Sequence, residues 1–364
     1  MAQRHSETAP DTAAPPAPPA GAPGTAALPA GEVLGRYLGD QASAFLRALR
    51  LREADEAEAA RRMRRSARRI GAALHTFRPL AEPEWAERLR TELNWLSGLL
   101  AHEHQYAERL VRLTDALQRL SGRTPPATEP PGSPSAGDGP TAPASTLGAA
   151  RAGALLERRL TLARTRAHSA ALQALGSARF HALADAVAVL VSEVPLSPAG
   201  GQPAGRTLLP LAEAAHRRLA EAADALPLGR SGYAYNFDPL HSSLTATVTV
   251  VGPGSAGEQL GTDRQDAPWH RVRVLARLSR YAMEVASPEE DPASSLQAHA
   301  GLVLQRHREA AEAAAAAASA ALTPRIAPAT AYALGVLHAD QRQQVEAARY
   351  AFSRLWHRQM ADVS

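Results

Sequence analysis

The chain has 364 residues, with 40 basic and 36 acidic side chains, a formal net charge of +4 and a pI of about 9.8. It contains no cysteine, and because all 40 basic residues are arginine it contains no lysine either. Thiol nucleophiles, disulfides, thiolate metal sites and lysine-dependent chemistry are therefore excluded. Only 4% of the residues are aromatic and alanine is abundant, which favours helices over a β-sandwich.

The first part of the chain is predicted to be a tail followed by helices. Residues 1–31 are expected to form a disordered tail, since the first 30 residues hold seven prolines and show no hydrophobic period. The segment 32–120 is predicted to be a first helical half. Apolar side chains recur there at helical spacing in three stretches, the last forming one or two helices: 32–50, 55–78 and 83–120.

The second of these helices carries an unusual charge pattern. Residues 61–78 contain seven arginines and no acidic side chain. At about 100° per residue, apolar side chains from Met63 to Phe77 share one face. The basic side chains share the opposite face: Arg61, Arg64, Arg65, Arg68 and His75. A dense row of guanidinium groups repels itself, so this face implies an anionic partner.

The remainder of the chain is predicted to be a linker and a second helical half. Residues 121–146 hold seven more prolines and are expected to form a flexible linker. The second half is predicted over 147–358, with a loop or hairpin insertion at 229–266 around the β-like run LTATVTVV. Its expected helices are 148–175, 179–193, 207–226, 267–286, 293–322 and 328–358.

The helix predicted over 267–286 repeats the basic pattern. One of its faces carries His270, Arg273, Arg277, Arg280 and Tyr281. Arg61, Arg64 and Arg68 match His270, Arg273 and Arg277 at one constant offset, which indicates a distant internal repeat. The alternative is two ordinary solvated faces, but such faces mix glutamate with arginine.

Motifs for catalysis, cofactors or metals are weak in this sequence. The run GPGSAG at 252–257 formally matches a dinucleotide fingerprint, but no second strand fits between it and the basic helix. His102 and His104 do not share a helical face, and the spacing H-E-x-x-H is absent. No G-x-S-x-G elbow occurs. We therefore expect no enzyme activity, no cofactor and no metal.

The arginine rows suit a chain of phosphate groups. Guanidinium stays protonated and offers forked donors to phosphate oxygens. A helical row repeats about every 5–6 Å, so one flexible polyanion can meet several arginines in succession. Trp269 and Tyr281 are the aromatic residues beside the second row. Because single-strand nucleic-acid platforms usually interleave stacking rings, the pattern favours an anion without bases.

The pair of basic helices resembles the CHAD family, the conserved histidine α-helical domain. The family pattern is roughly His-x-x-Arg-x-x-x-Arg-Arg in the first half, where this chain reads Arg61-x-x-Arg64-x-x-x-Arg68-Arg69. In the second half the pattern is roughly His-x-x-Arg-x-x-x-Lys-Arg-x-Arg-Tyr, and this chain reads His270-x-x-Arg273-x-x-x-Arg277-Leu278-x-Arg280-Tyr281. Arg61 thus replaces the first histidine, and Leu278 replaces a basic residue. The resemblance spans most of 32–358.

This resemblance implies an all-α fold of two pseudo-symmetric antiparallel helical bundles with a basic channel between them. It also implies non-catalytic binding of inorganic polyphosphate, at polyphosphate granules in some members. The residues expected to bind the ligand are Arg61, Arg64, Arg65, Arg68, His270, Arg273, Arg277, Arg280 and Tyr281, with His75 and His307 as weaker candidates.

Three alternatives remain open at this point. The same basic face could bind nucleic acid, which stronger competition by duplex DNA or RNA than by polyphosphate would reveal. The protein could act as an enzyme on polyphosphate or nucleotides, which metal-dependent phosphate release would reveal. It could also be a scaffold whose arginines bridge partner proteins. The N-terminus lacks the apolar stretch of a signal peptide and no run of about 18 apolar residues occurs. We therefore expect no signal peptide, no membrane span and, by default, a cytoplasmic protein.

Overall fold

The computed structural model describes residues 27–122, 142–227, 256–287 and 292–363. These residues form helices and no β-strand, which confirms the predicted all-α class. The α-helices in the described ranges are α1 (Ala30–Leu51), α2 (Glu56–Thr76), α3 (Pro83–Leu120), α4 (Ala142–Leu175), α5 (Ala178–Ser192), α6 (Ala204–Asp224), α7 (Ala256–Ala286), α8 (Pro292–Ala321) and α9 (Pro328–Val363).

Local sequence explains where the first basic helix begins and ends. Asp55 caps α2, because its Oδ1 accepts a hydrogen bond from the backbone N–H of Glu58 at 2.9 Å. The helix ends ahead of Pro79, whose ring disfavours helical geometry in the preceding residue. A short 3₁₀ turn, Arg78–Leu80, then leads into α3, whose first residue is Pro83.

The largest core packs α1, α2, the N-terminal part of α3, α5 and α6 together. The predicted apolar face of α2 is buried in it without exception: Met63, Ala67, Ile70, Leu74 and Phe77. Each large apolar side chain buried in this way contributes about 1.5–3 kcal/mol. Because this face is fixed against the core, the arginine face of α2 is turned away from it.

Two further sizeable cores hold most of the other described helices together. One joins the C-terminal part of α3 to α4, α8 and α9 through residues such as Leu113, Leu156 and Leu337. The other joins the end of α6 to α7, α8 and α9 around Trp269 and Phe352. Helix α7 also contributes Ala282 and Val285 to the largest core. Helices from both predicted sequence halves therefore meet in the largest core, and α7 connects two cores.

Helix bounds agree with the sequence prediction to within a few residues, with three exceptions. Helix α4 begins at Ala142, inside the predicted 121–146 linker, and α7 begins at Ala256, inside the predicted 229–266 insertion. Helix α9 extends to Val363. Alanine, leucine, glutamate and glutamine favour helix strongly enough to extend these ends past nearby glycine and proline; Pro268 itself lies within α7.

Parts of the predicted tail, linker and insertion lie outside the described residues. These parts are 1–26, 123–141 and 228–255, which include the first glycines of the GPGSAG run. The tail prediction extended to residue 31, whereas α1 already begins at Ala30, directly after Pro29. A backbone hydrogen bond of 2.7 Å from the Ala30 N–H to the Gln202 carbonyl ties this helix start to the segment before α6.

Among the described helices, none is by itself long and apolar enough to cross a membrane. Helices α4 and α5 reach the required length and hydropathy only when taken as a pair, from Thr146 to Ser192, and that pair is bent by 62°.

Candidate functional site

The structure brings the arginine faces of α2 and α7 together, and α8 adds one more arginine. The two basic helices are in direct contact. Their guanidinium groups are close enough to act on one another electrostatically, and each is only partly exposed. We call the following six residues the arginine cluster: Arg64, Arg68, Arg273, Arg277, Arg280 and Arg308.

Four members of the arginine cluster have no carboxylate partner. Within the described ranges, no acidic oxygen lies within 4.0 Å of the guanidinium nitrogens of Arg64, Arg68, Arg273 or Arg277. The buried Nε atoms of Arg68, Arg273 and Arg280 also have no hydrogen-bond partner. Buried donors are normally satisfied, because leaving one unpaired costs free energy. The cluster therefore presents donors that an anionic ligand would satisfy.

Crowding of like charges is visible in the pKa values of the cluster. Burial, followed by repulsion from Arg68, Arg308 and Arg277, lowers the pKa of Arg64 to about 10. Burial and then the charges of Arg308 and Arg277 lower the pKa of Arg273 to about 10 as well. Both side chains stay protonated at neutral pH, so the arginine cluster carries like-charge repulsion that a polyanion would relieve.

An ion pair between α2 and α7, Arg69 with Glu284, lies at one end of the arginine cluster. Arg69 donates two hydrogen bonds to Glu284, at 2.8 and 3.2 Å, and the Tyr37 hydroxyl donates a third at 3.2 Å. The guanidinium groups of Arg69 and Arg280 each lie 4.9 Å from the centroid of the buried Tyr281 ring. Arg69 is therefore a structural residue, and Tyr281 orients Arg280 by a cation–π contact.

Two histidines lie at the N-terminal end of the α7 row. The rings of His270 and His307 meet edge to face, with centroids 5.8 Å apart. Burial, and then the charges of His307 and Arg273, lower the pKa of His270. Its buried Nε2 atom has no hydrogen-bond partner. His270 is thus a half-buried neutral group beside Arg273 that can take up a proton or donate a hydrogen bond when an anion arrives.

A buried ion-pair network centred on Asp266 contacts His307, the second of these histidines. Asp266 accepts hydrogen bonds from Arg342 at 2.7 Å and from Arg349 at 2.6 Å, and His307 lies 3.5 Å away from it. Burial raises the pKa of Asp266, but the His307 and Arg342 hydrogen bonds and the nearby arginine charges hold it well below its ordinary value. His307 also stacks on Trp269, with centroids 5.4 Å apart. His307 therefore positions His270 and is itself buried.

Three residues predicted for the site lie at its edge or away from it. Arg61 is exposed and donates to Glu58 of its own helix at 2.8 Å. Arg65 is exposed, although its charge still acts on Arg68. His75 lies two helical turns beyond Arg68; burial and then the charges of Arg90, Arg78 and Arg218 lower its pKa. The structure does not bring His75 into the arginine cluster.

Arg308 is a member of the cluster that the sequence reasoning missed. It follows His307 in α8, and Glu312 stands four residues after it. That spacing is typical of an ordinary ion pair on a solvated helix face, so the spacing gives no sign that Arg308 belongs to the cluster. The signal that could have found it was its position directly after a histidine that the family resemblance had already singled out.

The chemistry that this arrangement offers is anion binding. Guanidinium groups on two helices supply forked donors and fixed positive charge in a partly desolvated place. Within the described part of the chain, no group of three or more His, Cys, Asp or Glu side chains could hold a metal ion. The arrangement therefore provides charge and hydrogen-bond donors to an anionic ligand.

Comparison with known proteins agrees with the all-α fold described above. The family model for the CHAD domain matches residues 36–302. Among solved structures, PptA from Streptomyces chartreusis is 52% identical, with a TM-score of 0.72, and the match covers 90% of this chain and 99% of that chain. No curated protein matches the chain. Since the family model matches well over half of the sequence, the chain belongs to the CHAD family.

Proposed function

We propose that the protein binds inorganic polyphosphate through the arginine cluster, without chemically transforming it. The observation that carries this proposal is the set of four partly buried arginines, on two contacting helices, that have no carboxylate partner in the described ranges. Such a set is unfavourable in the empty protein and becomes favourable when an anion supplies the missing charge. Membership in the CHAD family supports the same ligand.

The shape of the cluster favours a chain of phosphates over a single phosphate ion. Arg64 and Arg68 lie one helical turn apart, as do Arg273 and Arg277, so each helix presents donors at steps of about 5–6 Å. A flexible polyanion can satisfy several of these donors at once. Release of its condensed counterions would supply much of the binding free energy and make the affinity fall with salt.

Each residue of the site has a distinct role in this proposal. Arg64, Arg68, Arg273 and Arg277 pair directly with phosphate oxygens, and Arg280 joins them from its place on the Tyr281 ring. His270 donates a hydrogen bond through its unpartnered Nε2. The cluster is the counterpart of the basic channel that the family resemblance implies, and association with polyphosphate granules would follow from the same interaction.

A charge-reversed double variant tests this assignment. Arg68→Glu with Arg277→Glu is expected to abolish binding of long-chain polyphosphate, measured by calorimetric titration, because it places two acidic groups where phosphates would lie. Arg158→Glu with Arg166→Glu is the matched control, since both arginines are exposed on α4 and the net charge changes by the same amount. Equal affinity of the two folded double variants would rule out the arginine cluster as the site.

A further inference from the structure

Arg308 has two different surroundings. On one side it belongs to the arginine cluster, where its charge adds to burial in lowering the pKa values of Arg64 and Arg273. On the other side its Nε donates to Glu312 at 2.6 Å. By comparison, the carboxylate nearest to Arg280 lies 3.8 Å away. Within the described residues, Arg308 is therefore the arginine of the cluster that has a carboxylate within hydrogen-bond distance.

Further contacts hold this pair in place. Gln105 of α3, with its amide oxygen turned towards Arg308, accepts hydrogen bonds from Nη1 at 3.1 Å and Nη2 at 2.8 Å. The second carboxylate oxygen of Glu312 accepts from Arg109 of α3 at 2.5 Å. Three of the five guanidinium donors of Arg308 are thus paired with protein groups.

Glu312 remains within reach of a ligand. About 29% of its side chain is exposed, and it lines a cavity of about 90 Å³ between α3 and α8 together with Arg308 and Arg109. Its charge also acts on Arg273, where it opposes the effect of the neighbouring arginines on the pKa. A polyanion in the cluster would therefore meet a fixed carboxylate next to the arginine that it must share.

We propose that Glu312 is an internal counter-anion that occupies Arg308 in the empty site and lowers the affinity for polyphosphate. This inference rests on the proposed function. The carboxylate offsets part of the repulsion among the clustered arginines, so it stabilises the ligand-free protein. The same carboxylate competes with phosphate for Arg308, so it weakens binding. Glu312 therefore raises the stability of the ligand-free protein and lowers its affinity for polyphosphate.

The test compares Glu312→Gln with the wild type in titrations of long-chain polyphosphate. Glutamine keeps the shape and the acceptor oxygen but removes the charge. We expect affinity to rise about fivefold, because a neutral acceptor competes far less than a carboxylate with phosphate for the Arg308 guanidinium. The melting temperature without ligand should fall. Glu92→Gln is the matched control, because Glu92 pairs with Arg179 at 2.6 Å outside the arginine cluster.

A double-mutant cycle assigns the effect to Arg308. If Glu312 acts through this arginine, the gain from Glu312→Gln should shrink to less than about twofold in an Arg308→Gln background. Gln105→Glu, which adds a second carboxylate beside Arg308, should change affinity in the opposite direction and weaken it several-fold. This second variant keeps the inference testable if Glu312→Gln does not fold.

The outcomes separate the inference from the function on which it rests. Tighter binding by Glu312→Gln, lost in the Arg308→Gln background, supports the inference. Equal or weaker binding by Glu312→Gln beside a wild type that binds overturns the inference and leaves the proposed function standing. A full gain in the absence of Arg308 also overturns it. A wild type that does not bind polyphosphate overturns both.

Discussion

Two arginines of the basic helices, Arg69 and Arg277, should respond differently to substitution by glutamine. Arg69 makes a two-point ion pair with Glu284 across α2 and α7, whereas Arg277 has no carboxylate partner in the described residues. Arg69→Gln should therefore lower the free energy of unfolding and affect binding little. Arg277→Gln should leave the free energy of unfolding nearly unchanged and weaken the binding of polyphosphate.

The magnitudes follow from the burial of each group. The side chains of Arg69 and Glu284 are 22% and 31% exposed, between the surface and buried cases. Breaking a pair costs 0.2–1 kcal/mol at the surface and 3–5 kcal/mol in the interior, so we expect about 2 kcal/mol for Arg69→Gln. Removing Arg277 relieves repulsion of roughly 1 kcal/mol and loses stem packing of similar size, so the two nearly cancel.

Urea denaturation and polyphosphate titration at several salt concentrations measure both effects. Loss of one phosphate contact in Arg277→Gln should weaken binding about tenfold and reduce the slope of log K against log salt by roughly 0.7. Arg69→Gln should keep the wild-type slope. The reasoning is refuted if Arg277→Gln destabilises the fold as much as Arg69→Gln, or if it binds with wild-type affinity.

Three further predictions follow from the site. Because burial and then positive neighbours lower the pKa of His270, bound phosphate should raise it, so long-chain polyphosphate should bind several-fold more tightly at pH 5.5 than at pH 7.5. The free protein should lose stability over the same decrease, since an unfolded histidine takes up a proton more readily; calorimetry in two buffers should detect proton uptake on binding that His270→Gln lacks. Asp266→Asn should lower the free energy of unfolding by about 3 kcal/mol in urea titrations, because it leaves Arg342 and its neighbour without their buried carboxylate; a loss below about 1 kcal/mol would contradict this. Arg61→Gln should change affinity less than twofold and Arg64→Gln about tenfold, because Arg61 is exposed and already paired; equal losses would contradict the placement of Arg61.

Apolar spacing was sufficient to predict the fold class and most helix positions. The face of α2 from Met63 to Phe77 is buried as predicted because a 3.6-residue period leaves one way to place it against a core. The starts of α4 and α7 were missed because proline and glycine counts describe a stretch of chain, whereas a helix end depends on a few residues. Which helices share a core depends on contacts between distant segments, which periodicity does not report.

The site could be predicted only in part for a related reason. Arg64, Arg68, Arg273 and Arg277 were found because charge and period coincide on one face of each helix. The difference between Arg68 and Arg69 was not visible, since Glu284 is 215 residues away from Arg69 in the sequence. Arg308 was overlooked because its partner four residues later made it resemble a surface ion pair.

The central claim is tested most directly by titrating the purified protein with long-chain polyphosphate at two salt concentrations, with duplex DNA as competitor. We predict tight binding that weakens as salt rises and that DNA does not displace, because the arginine cluster offers charge without a stacking surface for bases. Absence of binding, or ready displacement by DNA, would contradict the account and assign the arginine cluster to nucleic acid or a protein partner.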